Sequence, residues 1–277
     1  MATILSISSQ VVRGAVGNSA AVLALQRLGH EIWPLPTITL AHHRGHDRSV
    51  PALATPARFI GDTVRHLDRK GWLGQIDAVL VGYLAGAGQA RAVAAAIARV
   101  RAARPGAIVM LDPVLGDDGA LYVEEAVAEA VRDLLLPLAD ILTPNAFELG
   151  WLSGGPMAGA GDVVRRARGL GVPECVVTSA PGAPAAMVRT LVVAGDAAFA
   201  CDIAKVRHPV RGTGDLLSAL YLGHRLSGAT PQAALARATG ALEAVLLETA
   251  RLGADELALV MAQDLLVAAG PAAITRL

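Results

Sequence analysis

Short continuous apolar runs alternate with longer helical patterns through most of this 277-residue chain. No other feature of the sequence restricts the fold as strongly. Residues 3–7 form such a run, and so do 31–35, 37–40, 77–81, 107–111, 141–142 and 175–178. Short apolar runs bounded by turn residues fit strands buried on both faces. Between them lie segments with helical spacing, at about 18–29, 55–70, 89–103, 123–136, 145–152 and 161–169. Strands alternating with helices specify a mainly parallel sheet with helices on both faces. Residues 185–193 and 197–203, separated by Gly195 and Asp196, read as an antiparallel hairpin at the sheet edge. Helices at 214–226, 231–250 and 254–268 follow, with Thr230 and Pro231 supplying a cap and a first turn. The predicted class is α/β, in three αβα layers.

Composition narrows the function. Apolar residues make up 53% of the chain and charged residues 17%, which excludes intrinsic disorder. The 24 basic and 24 acidic side chains cancel, and only 3% of residues are aromatic. Nucleic acid is therefore not an expected partner. Arg91 and Arg99 interrupt the alanine-rich stretch 90–100, and no run of apolar residues is long enough to span a bilayer. Residues 1–9 carry no positive region and read as a strand rather than a secretory signal. Cys175 and Cys201 lack CxxC spacing and read as buried thiols of a cytoplasmic protein. No internal repeat occurs, so one domain is the economical reading.

In open α/β sheets, ligands bind outside the carboxyl ends of the strands. The loops there begin at Ser9, Gly82, Asp112, Thr143, Ser179 and Arg211. A P-loop is absent: the only lysines, Lys70 and Lys205, lie outside any such context. The most informative loop reads Gly212, Thr213, Gly214, Asp215 and precedes an apolar helix. Two glycines there let backbone N–H groups converge on an anion at a helix N-terminus. A carboxylate in that first turn suits deprotonation of a hydroxyl that attacks a phosphoryl group. A plain turn with a capping charge is the other reading of these four residues. Asn145 and Glu148, three apart, suit either Mg²⁺ held largely through water or a helix cap. Asp112 and Asp117 add two carboxylates at the same edge.

The ordered set of motifs resembles the pyridoxal kinases of the ribokinase-like superfamily. It comprises Ser9, then Gly17 to Ala21, Trp33 to Leu35, Gly82 to Leu84, Asp112 to Gly116, Thr143 to Glu148 and Gly212 to Asp215. The resemblance runs nearly the whole chain and implies a single ribokinase-like kinase domain over 1–277. It implies ATP-dependent phosphorylation of the 5′-hydroxyl of pyridoxal, with pyridoxine and pyridoxamine as further substrates, in vitamin B6 salvage. Asp215 would be the base, and the backbone of Gly212, Thr213 and Gly214 would stabilise the transferring phosphoryl group. Asp112, Asp117, Asn145 and Glu148 would organise Mg²⁺, with Asp112, Glu148, Thr143, Thr178 and Ser179 around the nucleotide. Ser9, Val16 and Tyr83 match pyridoxal-pocket positions. The resemblance further implies a homodimer and, as in many relatives, a monovalent cation such as K⁺.

The departures cluster in one loop. Where the family usually reads Ser, Asn, His, Thr, x, Tyr, this chain has Ala41, His42, His43, Arg44, Gly45 and His46. Arg44 stands where a threonine faces the substrate ring, and Gln10 replaces a usual histidine. This puts the preferred vitamer in question rather than the reaction. The histidines and Asp47 make a poor metal site, so 41–50 reads as a lid that excludes water. Two other functions remain open to the sequence. One is a kinase of hydroxymethylpyrimidine or another small alcohol. The other is a non-catalytic vitamer-binding regulator.

Overall fold

The computed structural model describes residues 1–206 and 210–277. From the N-terminus the elements are β1 (Thr3–Val11), α1 (Asn18–Arg27), β2 (Glu31–Leu40), β3 (Ala52–Ala54) and α2 (Ala57–Arg69). Then come β4 (Ala78–Val81), α3 (Ala87–Ala103), β5 (Ile108–Leu111), the pair β6 (Gly116–Asp117) and β7 (Ala120–Leu121), and α4 (Glu125–Ala130). Next are β8 (Ile141–Leu142), α5 (Ala146–Ser153), α6 (Ala160–Gly169), β9 (Glu174–Ala180), β10 (Met187–Ala194) and β11 (Ala197–Ala204). The last are α7 (Thr213–Leu226), α8 (Pro231–Leu252), α9 (Leu265–Ala268) and β12 (Ile274–Arg276).

Among the described residues, ten strands form one sheet in the order β12-β11-β10-β9-β8-β5-β4-β1-β2-β3. Strands β2, β1, β4, β5, β8 and β9 pair parallel, and the expected hairpin β10–β11 extends the sheet antiparallel. One apolar cluster packs α2, α3 and α4 on one face, and another packs α1, α7 and α8 on the other. This is the predicted three-layer α/β architecture. The chain goes from β1 outward to β2, then returns to β4 on the other side of β1. Such a reversal opens a crevice at the strand ends, where ligands bind in this class.

Four expectations are corrected. The separate strands at 31–35 and 37–40 are one strand, β2, which runs through Pro34 and Pro36. That is allowed because β3 pairs with β2 only at Ile38–Leu40, leaving the proline segment unpaired on its outer edge. The helix expected over 123–136 is interrupted: α4 passes into a π turn at Val131–Leu135 and a 3-10 turn with Pro137. The helix expected over 254–268 survives only as α9; the stretch before it runs as bends and turns that bury Leu257, Leu259 and Ala262. The edge strands β3 and β12 were not expected: each is three residues long.

Candidate active site

Gly212 has φ +86° and caps α7. A Cβ there would stand 1.9 Å from the Ala15 carbonyl oxygen and 3.3 Å from Val16 Cγ1, so the α7 N-terminus lies directly on the turn after β1. At Gly214 an added Cβ would meet nothing within 4 Å. Backbone therefore faces open space at the first turn of α7, as an anion site requires.

Asp215 sits in that first turn and is partly buried. Desolvation pushes its carboxyl up to about 6, while hydrogen bonds from the backbone N–H groups of Gly17 and Asp215 itself oppose the shift. Gly17, with φ +56°, is pressed on Ser9: a Cβ would stand 2.3 Å from the Ser9 carbonyl oxygen and from Oγ. Ser9, Gly17 and Asp215 thus form one connected corner. Val16 and Tyr83 meet in an apolar cluster with Val11, Ile38, Leu40 and Val50. The pocket residues expected from sequence, Ser9, Val16 and Tyr83, converge beside Asp215. Arg44 does not: its side chain is exposed and has no partner among the described residues. Gln10 turns away, its Nε2 donating to Ser19 Oγ at 2.8 Å.

The second half of the site lies at the ends of β5, β8 and β9. Ser218 Oγ bridges Asp112 Oδ2 and Thr143 Oγ1, each at 2.9 Å. Burial, then the Asp215 and Glu148 charges, hold the Asp112 carboxyl well above the usual carboxylate range. Val114 has φ +45°, a strained conformation for a β-branched residue. It follows the strand end and precedes Leu115 and Gly116, whose N–H groups donate to Glu148 Oε1 at 2.7 and 3.4 Å. Glu148 Oε2 accepts from Asn145 N at 2.8 Å, and Asn145 Oδ1 accepts from Glu148 N at 2.9 Å. This is a complete capping box. Asn145 Nδ2 also donates to the Gly116 carbonyl at 2.8 Å. Burial raises the Glu148 carboxyl to about 7 against these three donors. Thr178 bridges Asn145 in parallel register, and Ser179, with φ +51°, forms an irregularity in β9 beside it.

Asp112, Asn145 and Glu148 are therefore neighbours, and Asp117, exposed on the β6–β7 hairpin and accepting from Asp118 N, still acts electrostatically on Glu148. No three His, Cys, Asp or Glu side chains gather as a metal group among the described residues. The capping box explains this, since it occupies Glu148 and Asn145 with backbone partners. Yet Asp112, Glu148 and Asp215 share one crevice and none has an ion pair with Lys or Arg among the described residues. A divalent cation fits that uncompensated negative charge if phosphates and water supply most of its ligands.

Residues 53–259 match the family model described as phosphomethylpyrimidine kinase. A pyridoxal kinase, PdxY, of Rubrobacter xylanophilus is 37% identical over 273 residues, covering 96% of this chain and 93% of that one. The chain belongs to the pyridoxal kinase family. A second pyridoxal kinase PdxY, from Deinococcus radiodurans, is 36% identical and covers 94% of this chain and 91% of that one. The pyridoxal kinase of Leishmania donovani in complex with ADP and pyridoxamine matches with a TM-score of 0.93 at 28% identity, over 100% of each chain. A protein described as a phosphomethylpyrimidine kinase from Bacteroides thetaiotaomicron, 22% identical with a TM-score of 0.88, shares the fold.

Two residues of this pyridoxal kinase family member, Ser218 and Ser8, escaped the sequence reading. Ser218 was the clearest lost signal: a lone hydroxyl in the apolar run 216–222, three residues after Asp215 and so on the same helical face. Asn18, already part of the Gly17 to Ala21 motif, is fully buried, accepting from Ser6 Oγ at 2.7 Å and donating to the Ser8 carbonyl, which fixes the turn into α1. Ser8 is 4% exposed and its Oγ has no hydrogen-bond partner, although it lines the small cleft shared with Gly82, Asp112 and Asp215.

Proposed function

We propose that this protein transfers the γ-phosphoryl group of ATP to the 5′-hydroxyl of pyridoxal, giving pyridoxal 5′-phosphate and ADP in vitamin B6 salvage. The observation that carries the reading is the Ser9, Gly17, Asp215 corner set against the bare first turn of α7. An acceptor pocket lined by Val16 and Tyr83 adjoins an anion site and a carboxyl tuned toward neutrality.

The chemistry follows from positioning and charge. Asp215 accepts the proton of the alcohol O–H as its oxygen bonds to the γ-phosphorus, and the P–O bond to ADP breaks. The N–H groups at Gly212, Thr213 and Gly214 take up charge on the transferring oxygens. Thr143, Thr178 and Ser179 line the nucleotide side, with Asp112 and Glu148 behind them. Mg²⁺, held at Asp112 with Glu148 and Asn145 nearby, would neutralise phosphate charge when bound. Asp117, whose charge reaches Glu148 from the hairpin, would add to the field that holds this cation, and K⁺ is a dependence to be assayed by cation exchange. Loop 41–50 acts as the lid, because an open site would let water compete with the alcohol.

The protein is read as cytoplasmic and homodimeric. The described residues include no helix long and apolar enough to cross a membrane. The dimer contact is the sheet edge at β3, where Leu53 is 75% exposed. Leu53→Glu, followed by light scattering, tests it.

The decisive assay is product formation from Mg·ATP with pyridoxal, pyridoxine, pyridoxamine and hydroxymethylpyrimidine in parallel. Pyridoxal turnover with the highest kcat/KM supports the reading. A clear preference for the pyrimidine, which the match over 53–259 keeps in play, would replace it.

A further inference from the structure

Glu256 lies in the segment expected to be helical and found as turns. Leu257 and Leu259, just beyond it, are buried in the core and pin the backbone. From that anchor the carboxylate touches two separate segments, loop 41–50 and the turn after β1. Oε1 lies 2.6 Å from His46 Nε2 in loop 41–50. The same carboxylate fills the space over Gly14, where an added Cβ would stand 2.7 to 2.9 Å from Oε1, Cδ and Oε2. Gly14, at φ +112°, begins the turn that carries Val16 and the Gly17 N–H given to Asp215. Arg13 on that turn bonds Asp255 at 2.7 Å and lies 4.0 Å from Glu256 Oε1. The Glu256 side chain is only 12% exposed, and its Oε2 is buried with no hydrogen-bond partner.

A buried carboxylate oxygen without a donor is costly, so filling space is a poor explanation for glutamate here. The geometry points to Glu256 as a positioning residue for phosphoryl transfer, joining the lid to the turn that orders the base. It acts through His46 and Gly14 and touches neither the alcohol nor the phosphoryl group. Closing the lid from a fixed point in the C-terminal segment couples substrate enclosure to the placement of Gly17 and hence of Asp215. The inference rests on reading 41–50 as a lid.

The test uses the full chain with saturating Mg·ATP and varied pyridoxal. Both phosphorylated product and total ADP are measured. Glu256→Ala and His46→Ala each raise KM for the alcohol about tenfold, the size of a 1.4 kcal/mol coupling. Each also raises the ADP released per product, while KM for ATP stays within about twofold. The double variant is no worse than the worse single one, because the two residues act as one unit. Glu256→Gln keeps an acceptor for His46 and retains KM within about threefold. Unchanged KM and ADP-to-product ratio in both alanine variants, or fully additive losses in the double variant, would overturn the role of Glu256. His46→Ala, at the exposed end of the pair, keeps the test alive if Glu256→Ala fails to fold. A third variant with residues 42–49 replaced by Gly and Ser tests the lid itself. If it leaves the ADP-to-product ratio unchanged, the lid reading fails; if it alone raises the ratio, only the anchor fails.

Discussion

Alanine at Gly212 and at Gly214 separates folding from phosphate binding within one turn of helix. At Gly212 the new Cβ would stand 1.9 Å from the Ala15 oxygen and 2.9 Å from its carbonyl carbon, both backbone atoms. The residue also holds φ +86°, which costs an L-residue roughly 1–2 kcal/mol. Forcing the two backbone segments apart adds about 1–3 kcal/mol of overpacking. A total of about 2–5 kcal/mol corresponds to a Tm lower by about 5–15 °C in a domain of this size. At Gly214 the opposite holds. The Cβ meets nothing within 4 Å, and alanine gains up to about 1 kcal/mol of helix propensity over glycine. Its Tm is therefore equal to wild type or slightly higher. Its methyl group, however, occupies the space the phosphoryl oxygens need to approach the N–H groups. Loss of that contact costs about 10²–10³ in rate. Differential scanning fluorimetry and steady-state kinetics on the two purified variants check both halves. A Gly214→Ala enzyme with unchanged Tm and kcat/KM within about threefold of wild type would refute the anion site at α7.

The remaining expectations concern charge, capping and thiols. Activity should fall about tenfold per pH unit below about 6 and level off above it, as the proposed base, Asp215, works only when ionised; a pH–kcat profile flat down to pH 5 contradicts this. Asp215→Asn should lower kcat by about 10²–10⁴. Because the folded-state pKa is raised, the charged form destabilises the fold, and that penalty develops as pH rises from the ordinary value of 3.8 to about 6 and is constant above. The Asn variant should thus melt no lower than wild type at pH 8, with the gap closing near pH 4, as calorimetry across pH will read. Asn145→Ala should cost about 1–2 kcal/mol through the lost cap, and activity should fall as well, since the Gly116 carbonyl loses its donor; urea midpoints and kcat measured together test this. Cys175 is fully buried with its thiol pushed up to about 12, and Cys201 is buried too. A disulfide exchange reagent should label less than one thiol in the native protein and two after denaturation.

How far the sequence reaches depends on whether a residue's neighbours are local. The parallel strands were legible because continuous apolar runs leave few other options, and 141–142 was read to the residue. The hairpin was legible because Gly195 and Asp196 sit between two matched runs, which pair from Met187 with Ala204 to Ala194 with Ala197. The 31–40 region misled because proline ordinarily ends a strand. Only the sheet order reveals that Pro34 and Pro36 face an unpaired edge. The capping box at Asn145 and Glu148 was one of two local readings, and geometry realises it without removing either residue from the crevice. Arg44 was placed by alignment to a motif, but its side chain ends in solvent. Glu256 and Ser8 were invisible for a different reason. Their significance lies in partners far off in sequence, His46 for one and an unmet hydroxyl for the other.

Among the described residues no Lys or Arg pairs with Asp112, Glu148 or Asp215, and that isolation lets burial tune the three acids. Cationic side chains at the phosphates would stabilise the ionised form of Asp112, Glu148 and Asp215 and pull their carboxyls down. Here all three are pushed up, and burial is the first cause in each case. A base near 6 is basic enough to take a proton from an alcohol as its oxygen bonds to phosphorus, and still ionised at neutral pH. Backbone N–H groups supply the complementary field without adding a mobile positive charge. An engineered lysine beside Asp215 should therefore tighten ATP binding yet depress the base, moving the acid limb of the pH profile downward and lowering the plateau rate. A plateau that instead rises would mean that phosphate charge, not proton removal, limits the reaction.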